Sequence, residues 1–187
     1  MKGILFSQME PPPALEAEFN DWYETEHIPV RLALAGFDRA VRYREQGVDR
    51  KYLAIYEIGD MAVLDSPGYH VVKTQPSVRT ASMLKAVRGF TRYTCTEICD
   101  SSGGGTQRGH LTALTYVVEP GRESAFDAAC RGGGTGLRAY KVISADGGPW
   151  THIVLRATGG DDAPIAGFEP AARWRYDPIS AHEGRAS

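Results

Sequence analysis

Residues 36–58 read GFDRAVRYREQGVDRKYLAIYEI, and they contain two strand-like segments separated by a short polar stretch. Residues 37–44 and 51–58 are of strand length and rich in aromatic and β-branched side chains, a composition typical of β-strands. Between them, residues 46–49 read QGVD, which favours a turn. The stretch therefore predicts a β-hairpin.

The elements on either side of the hairpin extend it into a module. Upstream, Leu15, Phe19 and Trp22 recur at helical spacing, and we expect the helix to end near His27 because the residue before Pro29 is a poor helical residue. The other elements are a strand at 3–9, a helical region at 61–87 broken at Pro67 and Pro76, and a strand at 90–98. The order strand, helix, strand, strand, helix, strand predicts the ferredoxin-like split βαβ arrangement.

The same order begins again after the Gly/Ser-rich residues 101–106, which have the composition of a flexible linker. Its elements are strands at 110–118, 136–144, 150–157 and 171–176, a helix at 121–130, and only 159–168 for a second helix. We therefore expect an α+β chain of two tandem ferredoxin-like modules, 1–100 and a degenerate 107–187. Two separate sheets would pack their open faces on each other, forming an intrachain α/β barrel.

Composition narrows the function classes. With 21 basic and 23 acidic residues among 187, the chain lacks the excess of positive charge that a nucleic-acid-binding face usually needs. It contains no run of 18 apolar residues, so we expect no membrane span. The N-terminus is typical of a first strand rather than of a leader. We expect a cytoplasmic protein.

We expect neither a metal nor a cofactor. The three cysteines, Cys95, Cys99 and Cys130, form no CxxC pair. In a strand, Cys95 and Cys99 would share a face but lie two residue pairs apart, too far for one ion. Reduced thiols fit a cytoplasmic protein better. The triple-glycine runs lack the lysine of a phosphate-binding loop and are interpreted as loops.

The stretch DWYETEHIP at 21–29 is the candidate site. Helical spacing places Trp22 and Glu26 on the apolar face, with Tyr23 and His27 on the adjoining one. A histidine beside a carboxylate and two aromatic rings suits proton transfer, with Glu26 orienting or tuning His27. Two simpler interpretations stay open: Glu26 could turn outward to pair with Arg31, and His27 could cap a helix end.

The run DWYETEHIPVRLALAGFDRAVRYR, with KYLAIYEI and SPGYH downstream, resembles the EthD-type group of dimeric α/β-barrel proteins over residues 3–98. The resemblance implies facing ferredoxin-like sheets, usually in a homodimer, with a site between sheet and helices. Related barrels include cofactor-free cyclases, dehydratases and isomerases, oxygenases and haem enzymes, so the fold does not fix the reaction. The second module has no counterpart of Glu26 and His27, and we expect one site per chain.

The first functional hypothesis is a cofactor-free acid/base enzyme of isomerase, dehydratase or cyclase type, acting on a small hydrophobic or aromatic carbonyl compound. His27 and Glu26 would be catalytic. The expected substrate-binding residues are Trp22, Tyr23, Tyr43, Tyr56 and Tyr69, because phenols can donate to an oxyanion. The alternative is a non-catalytic binding or accessory barrel. A third, weaker hypothesis is a haem or oxygenase barrel with His27 as the axial ligand. Either a monomer with an intrachain barrel or a homodimer fits these hypotheses.

Overall fold

The computed structural model describes residues 1–46, 52–103, 109–157 and 163–184. Its helices and strands alternate in two similar series. In chain order they are β1 Gly3–Glu10, α1 Glu16–Trp22, α2 Ile28–Leu32, β2 Phe37–Glu45, β3 Tyr52–Ile58, α3 Pro67–Thr74, α4 Val78–Ala86, β4 Arg88–Asp100, β5 Leu111–Tyr116, α5 Glu123–Arg131, β6 Leu137–Asp146, β7 His152–Ala157 and β8 Ala172–Glu183.

The strands form one closed antiparallel barrel in the order β1-β3-β2-β8-β5-β7-β6-β4. Read from β4, the first half runs β4-β1-β3-β2 and the second runs β8-β5-β7-β6. Both are the same ferredoxin-like order of fourth, first, third and second strand. The α+β class and the intrachain barrel of two ferredoxin-like halves are thus confirmed.

The two halves are not separate sheets, which corrects one detail of the expectation. Their inner faces pack together, but their edges also pair: β2 pairs with β8, with Arg42 opposite Ser180, and β4 pairs with β6, with Thr96 opposite Lys141. The physical reason is that edge strands left open would expose unpaired backbone groups, and closure removes those edges.

Strand alternation separates the barrel interior from an outer core under the helices. On β3, Leu53 and Ile55 face the interior, whereas Tyr52, Ala54 and Tyr56 face the helices of the first half. The interior cluster draws residues from both halves, and the outer cluster belongs to the first half alone. The candidate stretch 21–29 lies over this outer face.

The helix does not end at His27, contrary to expectation. It continues through a π-helical turn, Tyr23–His27, into α2, and the Ile28 N–H donates to the Tyr23 carbonyl five residues back. Proline has no N–H and its ring crowds the carbonyl four residues back, so Pro29 normally breaks a helix. The wider π-helical turn just before Pro29 compensates for the missing N–H and for the steric crowding. The helix therefore continues to Leu32.

The two cysteines of β4 do not share a face. Cys95 faces the barrel interior, whereas Cys99 packs against the outer core of the second half. The ladder with β6 shifts register between Glu97 and Cys99, and such a bulge inserts one residue and reverses the alternation beyond it.

Some expectations fall outside the described residues. Most of the turn at 46–49, and residues 104–106 of the linker, lie there, and the division into modules 1–100 and 107–187 stays a prediction. The described part of 159–168 is a turn, with the Phe168 N–H donating to the Ile165 carbonyl, so the helix expected there is not seen at 163–168. Among the described helices, none is long and apolar enough to cross a membrane.

Candidate functional site

The structure gathers most of the expected site residues on one side of the sheet. Trp22, Tyr23, Tyr56 and Tyr69 belong to the outer core of the first half, in which the His27 ring is packed. Tyr43 lies on the opposite face of the sheet, inside the barrel, with its ring 6.3 Å from that of Tyr176. Tyr43 is therefore not part of the cluster around His27.

The His27 imidazole is buried and neutral. Only 5% of the residue is exposed, and the ring centroid lies 4.2 Å from that of Trp22 and 4.9 Å from that of Tyr23. Burial, reinforced by the charges of Arg31, Arg42 and Arg92, holds the pKa of His27 well below its usual value. His27 is thus not a protonated helix cap, and its place within a continuous helix also rules out that interpretation.

The Nδ1 atom of His27 has no hydrogen-bond partner within the described chain. Buried polar nitrogens are usually paired, and leaving one unpaired costs about 1–3 kcal/mol. A catalytic role is one explanation for an unpaired buried group, and a π-helical turn inside an α-helix is frequent at functional sites. Both features coincide at His27.

A cavity of about 240 Å³ opens beside His27, between α2 and the helices α3 and α4. Glu26, His27 and Arg31 provide polar groups at its wall. The remaining lining is mostly apolar and consists of Val30, Val71, Val72, Gln75, Pro76, Ser77 and Thr80. An apolar cavity with a few converging polar groups is the usual form of a small-molecule site.

Glu26 reaches this cavity but is held by α4 rather than by His27. Its Oε1 accepts hydrogen bonds from the Ser77 hydroxyl and, at 2.7 Å, from the Thr80 hydroxyl, which in turn accepts one from Trp22 Nε1 at 2.9 Å. The bonds from Ser77 and Thr80 lower the pKa of Glu26. Within the described chain, Glu26 forms neither a hydrogen bond to the His27 ring nor an ion pair with Arg31.

Glu24 belongs to a partly buried hydrogen-bond network that the sequence analysis did not predict. Its Oε1 accepts from Arg42 at 2.6 Å and from the Ser180 hydroxyl at 2.7 Å, and its Oε2 lies 2.6 Å from His182 Nε2. Burial alone would raise the pKa of Glu24, but the bonds from Arg42, Ser180 and His182 lower it. Strand β8 of the second half thus anchors the π-helical turn of the first.

Arg42 completes that network. Its NH2 donates to Asn20 Oδ1 at 2.7 Å, and its guanidinium lies 4.4 Å from the Tyr23 ring centroid. The outward position of Arg42 beside inward Tyr43 follows from strand alternation, and Asn20 and Glu24 are four apart on the helix. These two spacings are the signal in the sequence that could have revealed the network.

The Tyr56 and Tyr23 phenols, neither of which lines the His27 cavity, stay protonated at neutral pH. Burial raises the pKa of Tyr56 to about 12 and that of Tyr23 further still. The Tyr56 hydroxyl has no hydrogen-bond partner within the described chain, whereas the Tyr23 hydroxyl lies 3.6 Å from Met9 Sδ. Both phenols can donate a hydrogen bond but cannot act as bases.

Tyr69 belongs to a different cavity from that of His27. This larger space of about 450 Å³ lies between α3, the 3₁₀ turn Met61–Asp65 and the strands β4 and β6. Helix α3 therefore separates Tyr69 from the His27 cavity, to which it contributes Val71 and Val72 instead. In the described ranges, no cluster of three His, Cys, Asp or Glu side chains could hold a metal ion.

Comparisons with known proteins give the fold and one sequence relative. No family model matches the chain. It is 31% identical over 153 residues to core atranone cluster protein 1 of Stachybotrys chlorohalonatus, a match that covers 70% of this chain and 59% of that protein. The chain therefore spans about three-fifths of the length of the curated relative it matches.

Solved structures resemble the whole chain. An anthrone oxidase-like protein matches with a TM-score of 0.64 at 14% identity, covering 97% of this chain and 92% of that one. A putative monooxygenase from Lactobacillus acidophilus matches with a TM-score of 0.64 at 10% identity, covering 97% and 96%. At such identities the likeness shows the fold alone. This chain shares the α/β-barrel fold of these proteins; the narrower EthD resemblance stays a prediction.

Proposed function

We propose that this chain is an enzyme that moves a proton next to the carbonyl group of a small hydrophobic or aromatic compound, with His27 as the general base. One observation carries the proposal: a neutral, buried imidazole with an unpartnered nitrogen lies at the wall of an apolar cavity. A general base must be unprotonated at the working pH and within reach of the substrate. The lowered pKa of His27 supports the first condition. For the second, the proposal takes the cavity that His27 lines as the place where a substrate binds.

The surrounding residues have separate roles. Trp22 and Tyr23 fix the plane of the imidazole by packing on it. Glu26, ionised and bonded to α4, holds the cavity wall rather than taking a proton. Tyr56 does not line the cavity, and its ring lies 5.5 Å from the guanidinium carbon of Arg31, which does. Isomerisation, dehydration and cyclisation all include proton removal next to a carbonyl, so this arrangement serves each of them.

The relatives agree with a small-molecule role. Core atranone cluster protein 1 and the anthrone oxidase-like protein are both named for small-molecule chemistry, which supports a polyketide-type or catabolic substrate here. The barrel closes within one chain, so a second copy is not required to complete it. The weaker hypothesis of a haem group with His27 as the axial ligand stays a prediction, which an absorption band in the visible range would support.

The proposal is tested by following hydrogen exchange next to a carbonyl. The protein is incubated in D₂O with cyclohexanone or acetophenone, and the loss of α-proton signals is followed by NMR. His27→Ala should lower the protein-dependent rate by about a hundredfold or more. The matched control is His70→Ala, because His70 is an exposed histidine on α3 that lines neither cavity, and the rate of this variant should equal that of the wild type.

Two results would contradict an enzymatic role. The first is exchange no faster than in buffer for every probe; if the probes still bind, the chain is a binding protein. The second is equal loss of rate in the His27 and His70 variants, which would place the activity elsewhere.

A further inference from the structure

We infer that Arg31 binds the oxyanion that forms on the substrate in the His27 cavity, and that this cavity takes a single-ring or short-chain carbonyl compound. The inference rests on the proposed function of His27 and adds to it the residue that stabilises the charge and the size of the substrate.

Arg31 lies one helical turn after His27 and lines the same cavity. Its NH1 donates to the His27 carbonyl at 2.8 Å, and its guanidinium carbon lies 5.5 Å from the Tyr56 ring centroid. These contacts fix the guanidinium at the cavity wall. A guanidinium has five N–H donors, and within the described chain only one hydrogen bond from Arg31 is formed, so donors remain for a ligand.

Charge pairing distinguishes Arg31 from the other arginines near His27. The positive charges of three arginines lower the pKa of the imidazole: Arg31, Arg42 and Arg92. Arg42 is paired with Glu24, and Arg92 with Asp146. Arg31 has no carboxylate partner in the described ranges. Its positive charge is therefore the one left available for an anion.

Glu26, the carboxylate that also lines the cavity, already accepts hydrogen bonds from other residues. Glu26 is bonded to Ser77 and Thr80, and it lies beyond ion-pair distance of Arg31. The rest of the wall is formed by valines, a proline and Gln75, none of which carries charge. An anion in this cavity would consequently find its counter-charge at Arg31.

The proposed reaction requires such a counter-charge. An imidazole nitrogen of His27 takes a proton from the carbon next to the carbonyl, and the C–H electron pair forms a C=C bond while the carbonyl π electrons move to oxygen. The resulting enolate oxygen accepts a hydrogen bond from Arg31. Returning the proton to a different carbon completes an isomerisation, with no oxidation or reduction and no co-reactant. Donors aimed at developing charge in a dry site typically contribute 10²–10³-fold in rate.

The volume limits the substrate. Cavities that enclose drug-sized ligands span about 300–1,000 Å³, so the cavity of about 240 Å³ is below that range. At about 30 Å³ per water-sized volume, it holds on the order of ten non-hydrogen atoms. The inference therefore places a single ring with its substituents in this space.

A phenolate probe tests this inference without knowledge of the natural substrate. The probe is 4-nitrophenol, whose ionisation is read from its colour and whose anion resembles an enolate. The wild-type protein should bind the anion in preference to the neutral phenol. Arg31→Met should weaken binding of the anion about tenfold or more, and Arg31→Lys should keep part of it. Arg79→Met is the control, because Arg79 bonds Asp21 and Thr25 outside the cavity.

Two further ligands complete the test of Arg31 and of the substrate size. Uncharged nitrobenzene should bind equally to wild type and Arg31→Met, which also shows that the variant is folded. The inference is overturned if Arg31→Met and Arg31→Lys both bind the anion as wild type does, or if the anion does not bind. Tight binding of 2-hydroxyanthracene would overturn the size limit. If His27 is not the base, the hydrogen-exchange experiment shows this separately, because the exchange rate is then the same in the wild type and in His27→Ala.

Discussion

Replacement of Glu24 by alanine should destabilise the protein more than any other change of an exposed or half-exposed carboxylate on α1 and the turn after it. The Glu24 side chain is 31% exposed, but its partner Arg42 is only 2% exposed. Glu24→Ala therefore leaves a buried guanidinium without its counter-charge, with Asn20 as the remaining hydrogen-bond acceptor. It also removes the acceptor of the Ser180 and His182 bonds that join β8 to the turn.

The magnitude follows from these contacts. Removing one partner of a fully buried ion pair costs roughly 3–5 kcal/mol. Because Glu24 itself is about one-third exposed, water can enter beside Arg42, and we expect roughly 2–3 kcal/mol instead. For a chain of this length each kcal/mol lowers Tm by about 2–4 °C, which predicts a decrease of roughly 4–12 °C.

Urea denaturation of the wild type, Glu24→Ala, Glu18→Ala, Arg42→Met and the double variant Glu24→Ala/Arg42→Met measures the effect. Glu18→Ala is the matched control, since Glu18 is an exposed carboxylate on the same helix without a partner in the described chain, and it should change the free energy of unfolding by less than about 0.5 kcal/mol. In the double variant Glu24→Ala/Arg42→Met, the loss should be smaller than the sum of the single losses by about 1 kcal/mol or more. Equal stability of the Glu24 and Glu18 variants would refute the network.

Three further predictions concern single groups. Because folding lowers the pKa of His27, the unfolded chain binds a proton at a higher pH than the folded chain does. The wild type should therefore lose stability relative to His27→Gln as the pH falls below about 6.5, measured by denaturation at a series of pH values. Parallel curves of stability against pH for the two proteins would contradict this. Tyr56→Phe removes an unpartnered buried hydroxyl and should leave the free energy of unfolding unchanged or raise it by about 1 kcal/mol; a large loss of stability would show a hidden partner. Burial raises the pKa of all three thiols, most strongly for Cys95, so native protein should label slowly and at Cys99 first, as mass spectrometry can show; rapid labelling of Cys95 would contradict its interior position.

The sequence predicted the element order because each element carries its own local signal. Apolar alternation on β3 and the helical spacing of Phe19 and Trp22 are properties of adjacent residues, and both appear in the structure. The similarity of the two halves followed from the repeated order. The closure of the barrel through β2–β8 and β4–β6 did not, since it depends on which edges meet after folding.

The candidate site was predictable only in part. Helical spacing grouped Trp22, Tyr23 and His27, but the π-helical turn adds a residue that no spacing rule anticipates, so the helix passed Pro29 unbroken. Likewise, strand alternation alone does not reveal which face of β2 covers the interior. Tyr43 was therefore expected among the substrate-binding residues, although its side chain lies inside the barrel. Long-range partners such as Ser180 for Glu24 carry no sequence signal.

The pH dependence of kcat/KM for α-proton exchange tests most directly whether a buried, neutral His27 is the base, because this quantity reports the groups of the free enzyme. The lowered pKa of His27 predicts a rate that stays constant from pH 8 to below pH 6.5 and falls only at more acidic pH, with no such limb in the residual rate of His27→Ala. A rate that falls through the ordinary histidine range, or a limb that persists in His27→Ala, would contradict the assignment.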